Sequence, residues 1–145
     1  MKKIVSMLLL SSLIFGSCTQ NPEKETGKVR FMFDPGDLKF ISSSFNPDLQ
    51  TMSALYGNND ALSLLADPKH EQQQASLKLV TYKMQDDPNY FGSKVNGELI
   101  SVEHISTGRN GKLEYRVLFG QTPASDSKEH RISLILDYQP VRFPQ

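Results

Sequence analysis

Three histidines are the residues best suited to acid–base or metal chemistry, and each stands beside a carboxylate in the sequence. The pairs are His70-Glu71, Glu103-His104 and Glu129-His130. Histidine titrates near neutral pH and binds metals through its neutral ring, but adjacent residues of a strand point to opposite faces of a sheet. We therefore expect none of these pairs to act as an acid–base dyad by itself.

His104 shares the face of a predicted strand with Ile100 and Val102, so we expect it to be partly buried. An imidazole at such a position either ligates a metal or hydrogen-bonds a backbone carbonyl group. We favour the hydrogen bond, because no Cys/His array with the spacing of a zinc site accompanies this histidine.

Motifs of common enzymes are absent from the sequence. It contains no C-x-x-C-H, G-x-S-x-G or H-E-x-x-H motif and no phosphate-binding glycine loop. No serine has a base and an acid at the spacing of a known hydrolase family. Asp86-Asp87-Pro88 is interpreted as a solvated turn, because the residues after it lack the regular oxygen ligands of a calcium loop. The sequence therefore favours a function other than catalysis, and we expect no metal site.

The composition is that of one folded domain with balanced charge. The 145 residues include 16 basic and 16 acidic side chains, so the formal net charge is zero and nothing favours nucleic acid as a partner. Hydrophobic residues make up 38% of the chain, too many for a disordered chain and too few for a polytopic membrane protein. A single cysteine excludes an internal disulfide.

The first eighteen residues have the pattern of a secretory signal that ends at a lipidation site. Two lysines precede an apolar run at residues 4–15, which is shorter than the roughly 20 residues of a membrane-spanning helix. Gly16 and Ser17 stand directly before Cys18, as in the bacterial lipobox, where diacylglycerol alkylates the cysteine thiol. Phe15 departs from the usual leucine of that motif. The alternative is an ordinary cleaved signal that leaves Cys18 as a free thiol.

These features divide the chain into three parts. Residues 1–17 are the signal peptide, residues 18–27 are the lipidated cysteine and a polar flexible tether, and residues 28–145 are the folded domain. Two or three acyl chains on Cys18 would anchor the protein stably, because one chain alone binds a membrane only marginally. We therefore expect a protein anchored by lipid to the bacterial cell envelope, on the outer membrane or the periplasmic face.

Alternating apolar residues predict strands over most of the folded domain. Half-buried strands are expected at residues 29–33, 76–84, 98–105, 113–119 and 132–138. Asn110-Gly111 fits a type I′ turn, which would make the strands on either side of it antiparallel neighbours.

Two short helices are expected before residue 68. Asn46 can cap the first and Pro47 suits its first position, so we place that helix at residues 46–56. Asn59 can cap the second, which would stop at Asp67-Pro68. The expected fold class is α+β and mainly β, a single antiparallel sheet-based domain with two short helices.

Several segments carry a pattern found in one known family. Residues 51–58 end in Leu55-Tyr56-Gly57-Asn58, residues 79–92 contain Tyr82-Lys83 where that family has tryptophan-lysine, and Ser101-Val102-Glu103 follows. Asp137-Tyr138 and Arg142-Phe143 then match its closing pairs. Over about residues 47–143 the chain resembles the cytochrome P-460 family. The resemblance implies an exported, mainly β domain, which in haem-bearing members holds a c-type haem and oxidises small nitrogen compounds or binds diatomic gases.

The chain lacks the cysteines that attach haem covalently in that family. Residues 126–130 stand where the attachment motif is expected. By the resemblance, His130 takes the place of the axial histidine, and non-covalent haem through it is chemically possible because imidazole alone ligates iron. We favour the alternative, an exposed His130 in a charged loop, and expect no cofactor.

The sequence thus predicts a lipid-anchored, exported protein whose P-460-like domain lacks covalent haem and acts as a small-ligand binding module. Two alternatives stay open. One is a redox or gas-binding protein with non-covalent haem on His130 or His104. The other is a cell-envelope protein that binds other proteins through a sheet edge or an apolar patch. The expected partners are the membrane, through the N-terminal lipid, and a small molecule; no nucleic acid is expected and no protein partner is identified.

Overall fold

Antiparallel strands form the framework of the domain in the computed structural model, which describes residues 33–67, 74–122 and 126–141. The strands form one sheet in the order β1-β2-β3-β4-β5, so each strand pairs with its neighbours in the chain. In chain order the elements are β1 (Lys39–Asn46), β2 (Thr51–Gly57), α1 (Asn59–Ala66), β3 (Ser76–Asp86), β4 (Lys94–Thr107), β5 (Leu113–Gly120) and α2 (Lys128–Leu136). The expected α+β, mainly β architecture is confirmed.

Both helices pack on the same face of the sheet, which we call the inner face, and the hydrophobic core lies between them and the strands. The core residues from the strands, from α1 and from α2 are all nearly inaccessible to solvent. They include Leu55, Leu77, Leu79 and Ile105 of the sheet, Ala61, Leu64 and Leu65 of α1, and Ile135 of α2. Side chains of the chain itself therefore fill the space under the helices.

The chain after α2 returns to the edge strand β1. The Val141 amide donates a hydrogen bond to the Ile41 carbonyl at 2.9 Å, and the Tyr138 and Ser44 hydroxyls lie 2.6 Å apart. These contacts hold the segment that follows α2 against β1.

The predicted second helix is confirmed as α1, with its cap one residue earlier than expected. Asn58, not Asn59, is the N-cap: its Oδ1 accepts the Ala61 amide at 2.9 Å and the Ser76 amide at 3.1 Å. The side-chain Nδ2 of Asn58 donates to the Gln74 carbonyl at 2.6 Å. One asparagine side chain thus joins the start of α1 to the start of β3.

The helix predicted at residues 46–56 is wrong, because β1 ends at Asn46 and β2 begins at Thr51. Asn46 Oδ1 does accept the amides of Asp48 and Leu49, as a helix cap would. The chain then reverses through Gln50, whose φ is +51°. An asparagine cap and an asparagine turn use the same local bonds. Here the segment forms a turn and not a helix, because residues 51–57 pair with both β1 and β3 as strand β2.

The strand predicted at residues 132–138 is also wrong, because most of this segment belongs to α2. Alternate apolar residues suggested a strand, but Ile132, Ile135 and Leu136 are the residues that pack into the core. Their spacing of three and four is that of one helix face. Leu134, which the strand interpretation placed on the buried side, is 41% exposed.

The predicted strands at residues 76–84, 98–105 and 113–119 are confirmed as parts of β3, β4 and β5. β4 and β5 are antiparallel neighbours as expected. The type I′ turn is wrong, because that turn needs two positive φ angles, and Gly111 has one while Asn110 does not. The loop is closed instead by Gly108 donating to the Lys112 carbonyl at 2.8 Å.

Some expectations fall on residues that the structure does not describe. These include the signal peptide, Cys18, the tether, His70 and all of the predicted strand at residues 29–33 except Phe33. Among the described residues, no helix is both long enough and apolar enough to span a bilayer.

Candidate functional site

Glu103 of β4 is a charged side chain in the interior, with only 1% of its surface exposed. Arg131 of α2 donates to both carboxylate oxygens, from Nε to Oε2 at 2.9 Å and from Nη2 to Oε1 at 2.5 Å. The Tyr115 hydroxyl of β5 donates to Oε2 at 2.7 Å. Asp126 accepts a further bond from Arg131 Nη1 at 3.3 Å. We call these four residues the buried ionic cluster.

Hydrogen bonds to charged groups hold the buried ionic cluster together. The hydrogen bonds that Arg131 donates to Glu103 raise the pKa of the guanidinium above its ordinary value. Burial, and then the hydrogen bond to the Glu103 carboxylate, raises the pKa of Tyr115 to about 12. Arg131 is therefore cationic and Tyr115 protonated at neutral pH, and both are committed to Glu103. The cluster joins α2 to the sheet.

A second polar group of residues lies on the opposite, outer face of the sheet. The register pairs Lys78 of β3 with His104 of β4, and His104 with Arg116 of β5. Residues paired in this way have Cβ atoms about 4.5–5.5 Å apart. Three basic residues thus stand side by side across three strands, and we call them the outer basic row.

His104 is hydrogen-bonded at the centre of the outer basic row. Its Nε2 lies 3.0 Å from the Ser76 Oγ. We expected a hydrogen bond to a backbone carbonyl, but the partner in the structure is a side-chain hydroxyl. Because Glu103 points inward and His104 outward, the two neighbours form no acid–base dyad, as expected from strand geometry.

The surroundings of His104 disfavour its charged form. Burial, and then the charges of Lys78 and Arg116, lowers the pKa of His104 below 6.5. Arg116 is itself paired with Glu114 at 2.8 Å in an exposed ion pair. A negative ligand close to the imidazole would act in the opposite direction and favour the imidazolium.

Aromatic side chains bound the outer basic row on the side of β2. Tyr56 pairs with Lys78 in the sheet register, and the Phe33 and Phe40 rings lie 5.6 Å and 6.0 Å from the Tyr56 ring. The Lys78 ammonium is 5.7 Å from the centre of the Phe33 ring. This contact is of the cation–π type and orients the ammonium on the outer face.

His130 lies on the exposed side of α2. Its side chain is 57% exposed and its Nε2 lies 3.9 Å from Asp126 Oδ1. It is exposed as expected, although on α2 rather than in a loop. An open groove of about 500 Å³ runs beside it, but the described lining comes only from α2 and the adjoining Asp137.

The acidic turn after β3 has the features of a solvated turn. Asp86 forms an exposed ion pair with Lys94 at 2.5 Å, and Asp87 Oδ1 accepts the Asn89 amide at 2.8 Å. Across the described ranges, no three His, Cys, Asp or Glu side chains gather as a metal site would require.

The sequence interpretation missed the buried ionic cluster. One signal was available: Ser101, Glu103 and Ile105 occupy alternate positions of one strand, so Glu103 falls on the buried face. Its partner Arg131 was not identifiable, because the segment that contains it was interpreted as a charged loop and a strand rather than a helix.

Comparison with known proteins does not assign the chain to a family. No family model matches it, and no curated protein matches it.

Proposed function

We propose that this protein is an exported, lipid-anchored binding module of the bacterial cell envelope that binds a small anionic ligand at the outer basic row. The observation that carries the ligand proposal is the side-by-side placement of Lys78, His104 and Arg116. Lys78 and Arg116 flank His104 on the neighbouring strands, and their positive charges disfavour the imidazolium. A bound carboxylate or phosphate would relieve that repulsion.

Each residue of the row has a separate role in this proposal. The planar Arg116 guanidinium can donate two parallel hydrogen bonds to a carboxylate or phosphate, and the Lys78 ammonium supplies a compact charge. His104 takes up a proton when the anion arrives, because the anion raises the pKa that Lys78 and Arg116 lower. The Ser76 hydroxyl can turn from the imidazole to donate to the ligand.

The N-terminal sequence supports the anchor and the location. The apolar run at residues 4–15 and Gly16-Ser17 before Cys18 match the signal and lipidation site of exported bacterial lipoproteins. The acyl chains on Cys18 would hold the domain at the outer membrane or the periplasmic face. The membrane is then a partner through the lipid alone.

A P-460-like ancestry without covalent haem remains part of the proposal. The mainly β domain agrees with the fold that the resemblance implies. The inner face is filled by leucine and isoleucine side chains, so the ligand site is placed on the outer face rather than in a cleft vacated by haem.

The titration of His104 tests the ligand proposal. In the domain from Thr19 onward, the pKa of His104 is measured by NMR of its ring protons with and without inorganic phosphate or acetate. We expect either anion to raise this pKa, because it stabilises the imidazolium. By linkage, anion binding strengthens as pH falls through the pKa of His104. Sodium chloride at equal ionic strength controls for screening.

Matched variants locate the site. Lys78→Gln should reduce the phosphate-induced shift several-fold, whereas Lys83→Gln, an exposed lysine of the same strand outside the row, should leave it unchanged. A His104 titration curve that is the same in chloride, phosphate and acetate would overturn the anion site.

A further inference from the structure

Within residues 33–67, 74–122 and 126–141, no strand pairs with the outer edge of β5. The sheet ends at β5, and among the described residues the backbone hydrogen bonds outside the ladders do not involve Leu113–Val117. Such an edge presents free N–H and C=O groups that can pair with another strand. Val117, Leu118 and Phe119 on β5 are 40%, 52% and 44% exposed.

The sequence of β5 is complementary to itself in one antiparallel register. If Tyr115 lies opposite Tyr115 of a second copy, Glu114 of each copy lies opposite Arg116 of the other. Leu113 then lies opposite Val117 in both directions. Opposite charges in directly opposed positions stabilise a strand pair, and like charges destabilise it.

Both charged side chains are available for this pairing. Glu114 and Arg116 form an ion pair within β5 at 2.8 Å, with 48% and 67% of their side chains exposed. In the register described, Glu114 can leave Arg116 of its own strand and pair with Arg116 of the second copy, and Arg116 can do the same with Glu114. Charges on an edge strand ordinarily prevent sheets from joining, but here the signs match when the partner strand is a second copy of β5 in this register.

A bulge sets the limit of the pairing. Val102 of β4 pairs with Phe119 and Glu103 pairs with Val117, so Leu118 has no partner on β4. Bulges bend a strand and end regular pairing. The flat part of the edge is therefore Leu113–Val117, and its midpoint is Tyr115.

We propose that two copies of the chain form a twofold symmetric dimer by pairing the outer edges of β5, with Tyr115 opposite Tyr115 and Glu114 opposite Arg116. The two five-stranded sheets then form one continuous antiparallel sheet of ten strands. A twofold axis perpendicular to the sheet puts the helices of both copies on the same side. Both outer basic rows lie together on the other side, next to the new junction.

The test exchanges the charges of Glu114 and Arg116 on β5. The dissociation constant of the dimer is measured by sedimentation equilibrium of the full chain in density-matched detergent. Glu114→Arg and Arg116→Glu each place two like-charged pairs in the junction. We expect each to weaken the dimer about tenfold or more. The double variant Glu114→Arg/Arg116→Glu restores opposite charges in the same register, and we expect it to restore the dimer.

The controls separate the junction from general charge and folding effects. Asp86→Arg makes the same change of charge as Glu114→Arg at the exposed end of β3 and should leave the dissociation constant unchanged. Circular dichroism confirms that each variant is folded. The proposal is wrong if the unaltered chain stays monomeric at all concentrations, which would leave the edge to a different protein. It is also wrong if the single variants dimerise normally, or if the double variant does not recover.

Discussion

At the scale of single residues, the pair of Glu103 and Arg131 determines how the C-terminal helix sits on the sheet. The carboxylate accepts two bonds from the guanidinium and one from Tyr115. A buried ion pair contributes little net stability compared with well-packed apolar residues, but removal of one partner leaves an uncompensated charge in the interior. The cluster is therefore sensitive to a change in either member.

Arg131→Ala should lower the free energy of unfolding by about 3–5 kcal/mol, because it leaves the Glu103 carboxylate buried and unpaired. The apolar double variant Glu103→Leu/Arg131→Met should cost far less, since neither charge remains. Urea unfolding followed by circular dichroism measures both. Lys94→Ala, which breaks an exposed pair with Asp86, is the control and should cost about 1 kcal/mol or less. Equal losses in Arg131→Ala and Lys94→Ala would contradict this account.

At the scale of the elements, the close approach of α1 to the sheet depends on Gly57. A Cβ atom at this position would lie 2.7 Å from Ile41 Cδ1 and 2.9 Å from the Ala61 Cβ. Both neighbours are core residues that are almost fully buried. The helix can therefore start directly after β2 and still pack on β1 and β3.

Gly57→Ala should destabilise the domain by about 1–3 kcal/mol, because overpacking a filled core forces neighbouring side chains to shift. Ile41→Val removes the Cδ1 atom closest to the added methyl group. In that background Gly57→Ala should cost less, and a double-mutant cycle by urea unfolding measures the coupling. Strictly additive losses would show that Ile41 does not limit the approach of α1.

At the scale of the whole molecule, the proposed anchor, the proposed ligand site and the proposed dimer edge have separate origins. The anchor is proposed from the first eighteen residues of the sequence. The outer basic row and the β5 edge arise from the sheet, on the face and the edge that the helices leave uncovered. A lipid-anchored pair of such domains would present both ligand sites on one side of a continuous sheet.

Cys18→Ser should abolish processing, because the serine hydroxyl cannot replace the thiol that receives the diacylglycerol group. In cells labelled with a palmitate analogue, we expect label on the unaltered chain and none on Cys18→Ser, which should keep the size of the precursor. Ser17→Ala, which preserves a small residue before the cysteine, is the matched control and should be processed. Membrane association at the mature size for Cys18→Ser would overturn the lipid anchor.

The strands with the longest alternation of apolar and polar residues could be predicted from the sequence, and so could the helix that ends at Asp67-Pro68. β3, β4, β5 and α1 were predicted within a few residues, because several successive side chains repeat the same inward and outward pattern. It also showed that Glu103 and His104 face opposite sides of β4. These properties depend only on neighbours along the chain.

Tertiary structure decided what local signals left ambiguous. Asn46 makes the bonds of a helix cap in a turn between two strands, and the apolar residues after Arg131 fit both a strand and a helix until the core selects Ile132, Ile135 and Leu136. The buried ionic cluster joins residues 28 positions apart, and the outer basic row joins three strands through their register. Both depend on which strands pair and which helix face is buried, and those choices follow from packing across the whole domain rather than from neighbours along the chain.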